Sequence, residues 1–285
     1  TQWIFLQMFK KGLAYESYEP INWCPSCQTG LANEDVEADG TCERCGTVVE
    51  KKPMRQWVLK ITDYADRLLA DLDKLPKWPN GVKEAQRHWI GRKEGVEISH
   101  KVGNSDITLS AFSAYPAWLF ADTFLVIAPE HPVVLDLIKG QKEEGEVLKF
   151  IEEIKKEPKQ ERGEVKEKKG IFTGAYAIDP INDGSKMPIW IANFAMMDFG
   201  TGIIRCSAHD ERDYEFAQKY NIETKEVVDR IEKDIPVNAH INSGKLKDSG
   251  IFSGRGINDE LIKEMVDWFA KEGFGKKKTS YRIKD

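Results

Sequence analysis

The sequence lacks any segment that would place the protein in or across a membrane. No apolar run approaches the roughly 18–20 residues that span a bilayer. The first residues, TQWIFLQMFKKGLAY, carry two lysines after the apolar part, so they do not follow the basic-apolar-small order of a signal peptide. We therefore expect no membrane partner. Because the chain begins at Thr1, we also expect a piece of something longer.

The sequence also lacks an excess of positive charge and an even set of cysteines. Its 42 Lys and Arg against 47 Asp and Glu give a net charge of −5, which argues against a nucleic-acid coat over the whole surface but leaves a local basic patch open. Five cysteines in a Lys/Glu-rich chain disfavour a disulfide framework and suggest reduced thiols and a metal site.

What is present is enough for a folded protein with a sizeable core. The 285 residues are 41% hydrophobic and 31% charged, which fits one large or two modest domains. Hydrophobic periodicity predicts helices at 1–16, 53–75, 132–139, 146–157, 211–220 and 259–272, and strands at 96–98, 123–128 and 187–207. We predict an α+β or mixed fold, in which strands at 96–98 and 279–284 pair as an antiparallel stalk.

Four cysteines form the most specific motif in the residues themselves. Cys24 and Cys27 make one C-x2-C pair, Cys42 and Cys45 make the other, and 14 residues separate the pairs. Two such knuckles complete a tetrahedron of thiolates, as in a zinc ribbon. We predict structural zinc, the alternative being a ribbon without metal or a set of redox thiols. Four sulfur ligands leave no open position for hydrolytic chemistry.

A series of motifs resembles the leucyl-tRNA synthetase family, in order along essentially the whole chain. They are WCPSCQTGLANE at 23–34, QWVLKITDYA at 56–65, WIGR at 89–92, APEHP at 128–132, FTGAYA at 172–177, PIWIAN at 188–193, GTG at 200–202, HDERD at 209–213 and YRIKD at 281–285. The stretch resembles connective polypeptide 1, the insert that carries a zinc module and an editing domain. The HIGH and KMSKS signatures of the ATP site are absent.

The resemblance implies a domain order and a function. We expect helical connectors with a zinc ribbon (about 18–52) at 1–94, a β-barrel-like editing domain at 95–278, and a return strand to the catalytic body at 279–285. In the family, this domain hydrolyses the ester of leucine tRNA charged with a wrong amino acid. One methylene changes binding by only about 1–3 kcal/mol, which is why a second sieve is needed.

The resemblance also implies cofactors and partners. Zinc is expected here, whereas ATP and Mg²⁺ belong to the missing catalytic body. The partners are the 3′ end of leucine tRNA and the rest of the synthetase in cis, in a cytoplasmic monomer. Lys276, Lys277 and Lys278 are candidates for phosphate contacts, although a solvated basic turn is the favoured alternative.

One half of the implied editing site lies in the HDERD segment. The family implies that the carboxylate at Asp213 holds the substrate α-amino group and that Asp210 lines the site. Capping of the helix at 211–220 is the alternative role for both aspartates. His209 is a substrate-binding candidate with a packing alternative, and Phe199 falls where the family often has a pocket aromatic, with a core role as its alternative.

The other half-site departs from the family's TTRPDT pattern, because residues 113–118 read SAYPAW. Ser113 replaces a threonine, Tyr115 an arginine, and Trp118 the threonine that excludes leucine by its bulk. After GTG the chain is one residue shorter than the family text, and Arg205 falls near a normally apolar position. We interpret these changes as a remodelled pocket, with Ser113 near the reaction and Trp118, Tyr115 and Arg205 near the substrate.

Two interpretations of the remodelled pocket stay open. The domain is either a working editing esterase with an atypical pocket, or a hydrolytically weak module that positions tRNA and supports the parent ligase. A free-standing zinc enzyme is disfavoured by the closed set of four cysteines. The position of the Trp118 side chain relative to Asp213 discriminates between the first two.

Overall fold

In the computed structural model, which describes residues 1–37, 39–103, 105–156, 167–197, 200–229 and 244–285, the chain divides into two units. The first unit holds Thr1–Arg92 and Tyr281–Asp285, and the second lies within Lys93–Ser280. Among the residues described, no helix combines the length and the apolar character that crossing a membrane would need.

A three-stranded antiparallel sheet organises the first unit. Its strand order is β2-β1-β3. The elements of this unit are α1 (Gln2–Lys10), β1 (Ala14–Cys24), β2 (Thr29–Leu31), β3 (Glu50–Leu59), α2 (Ala65–Asp71) and α3 (Asn80–Ile90). Because Cys24 ends β1 and pairs with Thr29 at the start of β2, the first cysteine knuckle forms the turn between the two strands.

The predicted helix at 53–75 is wrong in its first part. Residues Glu50–Leu59 form β3, which pairs with β1 over ten residues, from Ala14 opposite Leu59 to Trp23 opposite Glu50. Alternate residues of β3 are half-buried, and Trp57 contacts the ring edges of Phe5 and Phe9. Pairing across the sheet and this ring contact therefore override the helical spacing of the apolar residues.

In its described residues, the second unit combines two larger sheets, a short ribbon and four α-helices. One sheet has the order β12-β4-β5, another β7-β8-β6-β9, and the ribbon is β10-β11. The strands are β4 (Lys93–Lys101), β5 (Thr108–Ser113), β6 (Asp122–Ile127), β7 (Gly170–Ile178), β8 (Lys186–Ala192), β9 (Ile203–Ser207), β10 (Val228–Asp229), β11 (Lys245–Leu246) and β12 (Gly275–Ser280). The helices are α4 (Val134–Ile138), α5 (Glu144–Lys156), α6 (Glu211–Tyr220) and α7 (Asp259–Lys271).

Strand β6 is buried on both faces, as its continuous apolar sequence predicts. Leu125 and Ile127 pack in the cluster that includes α4 and α5, whereas Phe124 and Val126 pack in the cluster that includes Phe216 of α6. The four-stranded sheet is thus covered by helices on both sides, with the parallel β6–β8 pair at its centre.

The expected β-barrel does not close within the described residues. The sheets β12-β4-β5 and β7-β8-β6-β9 are both open. An isolated bridge between Val102 and Ala177 connects them, and no continuous ladder of hydrogen bonds does so among the described residues. The fold is a mixed arrangement of open sheets and helices, in which α4, α5 and α6 cover the faces of the four-stranded sheet.

The antiparallel stalk forms as predicted in kind, but with an earlier second strand. Strand β12 covers Gly275–Ser280 rather than 279–284, and Gly275 lies opposite Ile98 while Thr279 lies opposite Glu94. Asn258 is the N-cap of α7, since its side chain accepts a hydrogen bond from the Leu261 amide at 2.8 Å.

Gly95 in β4 gives a stability prediction. A Cβ atom there would collide with the Ser113 carbonyl oxygen and would lie 2.9 Å from the Phe112 ring. Because both contacts belong to the neighbouring strand β5, we expect Gly95→Ala to lower the free energy of unfolding by about 1–3 kcal/mol, measured by chemical denaturation.

The matched control is Gly145→Ala in α5, where an added Cβ meets nothing within 4 Å. Alanine is the better helix former, so this variant should be neutral or stabilising by about 0.5–1 kcal/mol. Equal stabilities of the two variants would contradict the close β4–β5 pairing.

Candidate functional site

The structure brings the two sequence-predicted half-sites together through Trp118 and His209. Trp118 lies in the short 3-10 turn Pro116–Trp118 that follows β5, and His209 precedes α6. Their ring centroids are 6.1 Å apart. The indole also stacks on Tyr115 at 4.6 Å with an interplanar angle of 12°. Trp118 is 7% exposed and Tyr115 45%, so the indole is packed inward and Tyr115 covers it.

His209 is held in one orientation by backbone groups. Its Nε2 accepts a hydrogen bond from the Val227 amide at 3.0 Å, and its own amide donates to Ser207 Oγ at 3.2 Å. Since an imidazole nitrogen that accepts from an amide carries no proton, the neutral ring has its proton on Nδ1. His209 therefore presents a fixed ring to Trp118.

Asp210 and Asp213 have different roles at the start of α6. Asp210 is the N-cap, and its Oδ1 accepts a hydrogen bond from the Asp213 amide at 3.2 Å. The Asp213 carboxylate accepts from Arg212 Nε at 3.2 Å and Nη2 at 3.1 Å. The capping alternative thus describes Asp210, while Asp213 is buried, at 3% exposure, beside a guanidinium that lies 4.8 Å from the Phe194 ring centroid.

The charge of Asp213 is poised near neutral pH. Burial raises the pKa of its carboxyl to about 7, Arg212 opposes that shift, and the nearby Asp210 adds to it. The Cys206 thiol of β9 has a small opposing effect on the pKa of this carboxyl, and burial raises the pKa of the thiol itself. A buried carboxylate with one cationic partner is a suitable anchor for an ammonium group.

Ser113 lies at the end of β5, opposite Val96 of β4. Its Oγ accepts a hydrogen bond from the Tyr115 amide at 3.2 Å, which fixes the turn leading to Trp118. Phe199, the remaining candidate from sequence, lies outside the described residues.

Arg205 lies in a buried ion network instead of at an open surface. Its Nε donates to Asp122 at 2.6 Å. Its Nη1 donates to Asp179 at 3.1 Å and lies 3.1 Å from His100 Nε2. Its Nη2 donates to the Leu119 carbonyl at 3.0 Å and lies 3.4 Å from the second Asp179 oxygen. These contacts use every N–H group of the guanidinium. Arg205 therefore fixes the backbone directly after Trp118.

The ionisation states within the network agree with its geometry. His100 Nδ1 lies 3.2 Å from the Ile178 carbonyl, so it carries the proton and leaves Nε2 to accept from Arg205. Burial and the Arg205 charge lower the pKa of His100 to about 4. Burial raises the pKa of Asp122 to about 6 against the opposing effect of Arg205.

The sequence analysis missed His100, Asp122 and Asp179. One signal for them existed. An arginine in an otherwise apolar strand must be paired, since an unpaired buried charge is costly. Asp122 directly precedes the apolar run of β6, but nothing in the sequence shows that it faces Arg205 across β6 and β9, which pair antiparallel.

The four cysteines of the first unit converge. The Sγ atoms of Cys24, Cys27, Cys42 and Cys45 all lie within 4.8 Å of one another. The Cys27 amide donates to Cys24 Sγ at 3.3 Å, and Cys24 Sγ lies 3.5 Å from Cys45 Sγ. Tetrahedral zinc with bonds of about 2.3 Å would separate its sulfurs by about 3.8 Å, so the donor set fits this metal.

Comparisons with known proteins point to one family. The family model described as "Leucyl-tRNA synthetase, editing domain" matches residues 87–270, and the one described as "tRNA synthetases class I (I, L, M and V)" matches residues 1–103. The leucine–tRNA ligase of Elusimicrobium minutum is 47% identical over 286 residues, and that of Thermotoga maritima is 44% identical over 291 residues. Each alignment covers 100% of this chain. It covers 34% of the length of the first relative and 35% of the length of the second.

A solved structure gives the same result at the level of the fold. It is the leucyl-tRNA synthetase (agnB2 LeuRS) of Agrobacterium radiobacter K84, in a ternary complex with tRNA and LeuAMS. The TM-score is 0.72 at 34% identity, over 99% of this chain and 32% of that one. The chain thus spans about a third of the length of the relatives it matches.

The buried network gives a second stability prediction. Arg205→Met removes the cation and leaves Asp122 and Asp179 buried without it, which should lower the free energy of unfolding by about 3–5 kcal/mol. Chemical denaturation of the variant and the parent chain measures this.

The control is Arg255→Met, which removes an exposed arginine that pairs with Glu264 through two contacts of 2.7 Å. Exposed ion pairs contribute little, so its unfolding should match that of the parent chain. If both variants unfold alike, the Arg205 network does not stabilise the second unit.

Proposed function

Because this chain belongs to the leucyl-tRNA synthetase editing-domain family, we propose that it hydrolyses the aminoacyl ester of mischarged leucine tRNA in a pocket of unusual shape. The observation that carries the proposal is the contact between the two half-sites, with Trp118 and His209 rings 6.1 Å apart beside the buried carboxylate segment that begins α6. The editing domain is assigned to 95–278 and the return segment to 279–285, with the zinc module and its connectors at 1–94.

The carboxylate of Asp213 is assigned to the substrate α-ammonium group. It is buried, carries one hydrogen-bonded cationic neighbour, and retains acceptor capacity on its second oxygen. Asp210 caps α6 and adds negative charge to the same position. An ammonium group placed between them would form charge-assisted hydrogen bonds.

The hydrolytic step needs a positioned water molecule. Its oxygen attacks the ester carbonyl carbon, and the bond from that carbon to the ribose oxygen breaks. The ribose oxygen takes up one proton of the water and becomes a hydroxyl group, while the released carboxylic acid loses the other proton to solvent. Ser113 Oγ, held at the end of β5, is assigned to orient this water together with backbone groups and substrate hydroxyls. Without a strong general base, the chain would act mainly by positioning.

Trp118 and Tyr115 are assigned to the amino-acid side of the pocket. An indole that packs inward and is covered by a stacked phenol reduces the space available to a substrate side chain. The pocket would therefore exclude leucine and admit only a smaller group. Arg205 is assigned a positioning role, because its contacts end on the Leu119 carbonyl next to Trp118.

The same packing favours a second candidate function. If the indole fills the amino-acid pocket, the domain is hydrolytically weak and serves to position tRNA within the parent ligase. Among the three basic candidates of β12, Lys277 pairs with Asp267 and Lys278 with Glu97. These pairs favour a solvated strand over a phosphate site, so tRNA affinity would come mainly from the rest of the protein.

The first unit has the surface expected of a part that packs against other protein. Fourteen of the twenty exposed large apolar side chains of the described residues belong to it, including Trp3, Phe9, Trp57 and Trp89. Helix α1 buries none of its residues. We assign this surface to contact with the remaining two thirds of a leucine–tRNA ligase, which would bind ATP, Mg²⁺ and leucine, in a cytoplasmic monomer.

The cysteine cluster is assigned to one structural Zn²⁺. The four sulfurs would hold the ion, and the Cys27 amide would support the Cys24 thiolate. Zinc bound by four thiolates has no free position for substrate, so it would fix the knuckles between β1 and β2 and take no part in hydrolysis.

Deacylation of mischarged leucine tRNA tests the editing proposal. The chain should release the amino acid faster than spontaneous ester loss, and Asp213→Ala should lower the excess rate about 10- to 100-fold, because one charged hydrogen-bond partner is lost. Trp118→Ala should extend hydrolysis to correctly charged leucine tRNA, because it removes the indole that would exclude the leucine side chain. Trp89→Ala, which changes an exposed indole in the other unit, serves as the control.

The pH profile of the same assay adds a separate test. Because burial raises the pKa of Asp213 to about 7, the ionised form and the excess rate should both increase as the pH rises through 7. Asp213→Asn should flatten that increase after subtraction of the spontaneous rate. A folded chain that never exceeds the spontaneous rate would support the positioning module instead.

Metal analysis tests the zinc assignment. The purified chain should contain about one zinc per molecule by mass spectrometry, since its four thiolates form one tetrahedral set. Cys42→Ser should lose zinc and lower the melting temperature. Cys206→Ala, in the second unit, should keep a full complement. Equal zinc in the parent chain and Cys42→Ser would rule out this site.

A further inference from the structure

A second cavity lies in the editing unit, lined by residues to which the editing reaction assigns no role. Its volume is about 730 Å³. It is formed by the β7–β8 hairpin, the first residues of β6 and the segment 220–225 that ends and follows α6. The volume falls in the range of small-molecule sites.

The wall of this cavity is aromatic. Phe172 and Trp190 have ring centroids 5.7 Å apart, and Trp190 and Tyr220 have centroids 5.0 Å apart. Tyr176 contacts the edge of Phe172 at 5.3 Å and is 42% exposed. Because rings on one wall expose π-faces and edges, a planar ligand can stack there without repacking the core.

Two buried polar atoms belong to residues of the same wall. Thr123 Oγ1 and Trp190 Nε1 have no hydrogen-bond partner within the described part of the chain. Buried polar groups are normally satisfied, and leaving them unpaired is unfavourable. A ligand that brings hydrogen-bond acceptors to this wall would satisfy both groups, since an indole N–H can only donate and a hydroxyl can donate as well.

The charge at the mouth favours an anion. Lys186 and Lys225 line the cavity, and neither lies within 4.0 Å of a carboxylate oxygen among the described residues. The two carboxylates that line it are Glu223, which is exposed, and Asp122, which is buried and paired with Arg205. Two unpaired ammonium groups beside one exposed carboxylate leave a net positive charge of one.

We propose that this cavity binds a nucleotide, with the base stacked on the aromatic wall and the phosphate held by Lys186 and Lys225. A base with a phosphate would use all three features of the cavity: the stacking surface, the donors without a partner and the two lysines. The inference goes beyond editing, because the cavity wall would bind the nucleotide whether or not the other pocket hydrolyses an ester. The nucleotide is either free or part of a single-stranded RNA.

Calorimetric titration of the 285-residue chain with adenosine 5′-monophosphate tests the proposal. We expect binding that weakens about tenfold in the double variant Lys186→Gln with Lys225→Gln, and as much in Tyr176→Leu, because each removes one class of contact. Tyr176→Phe keeps the ring and should bind as the parent does. Lys271→Gln, an exposed lysine at the end of α7, is the charge control.

Trp190→Phe separates the indole N–H from the ring stacking. It should weaken nucleotide binding several-fold while the thermal melting curve and the deacylation rate of the editing assay stay unchanged. No binding at about 10 mM nucleotide, or binding that none of the cavity variants changes, would overturn the proposal. Loss of editing with intact nucleotide binding would count only against the editing pocket.

A second titration identifies the source of the nucleotide. Fluorescence anisotropy with a short labelled single-stranded RNA should show the same losses in the cavity variants if an RNA strand is the occupant. If the RNA binds equally to all variants while adenosine 5′-monophosphate does not, the cavity serves a free nucleotide.

Discussion

The buried guanidinium of Arg205 is the interaction on which the second unit depends. It joins β9 to β6 through Asp122, to the end of β7 through Asp179, and to β4 through His100. The four-stranded sheet and the β12-β4-β5 sheet therefore meet at one charge. Such a centre is stable only when every partner is present, because the unfavourable free energy of desolvating the ions is offset only by their contacts with one another.

The network also explains how two departures from the family pattern fit together. The resemblance places an apolar residue where this chain has Arg205, and the remodelled turn of residues 113–118 ends beside the carbonyl that Arg205 binds. Trp118 is thus held by Tyr115 on one face, by His209 near the other, and by the backbone that follows it. In the proposed editing pocket, a turn fixed in this way would present one shape to a substrate, which is what selection by size requires.

The two units differ in what stabilises them. Among the described residues, the second unit has three buried apolar clusters, whereas the first has one small cluster around Cys24, Leu31 and Cys42 and leaves fourteen large apolar side chains exposed. With so little core, the first unit depends mainly on its sheet and on the cysteine cluster. Its C-terminal segment 281–285 contacts the rest of the unit: the Asp285 carboxylate accepts a hydrogen bond from the Thr62 amide at 2.9 Å.

Local patterns by themselves determined several features of this protein. The C-x2-C spacing placed four thiols in one cluster, the apolar run of β6 formed a buried strand, and Asn258 began a helix, because each depends on residues close together in sequence. The tertiary structure alone decided that Glu50–Leu59 is a strand, that the sheets stay open, and which partners Arg205 has. Those outcomes depend on residues tens of positions apart, such as Asp122 and Arg205, whose meeting is set by sheet register and by the cost of burying an unpaired charge.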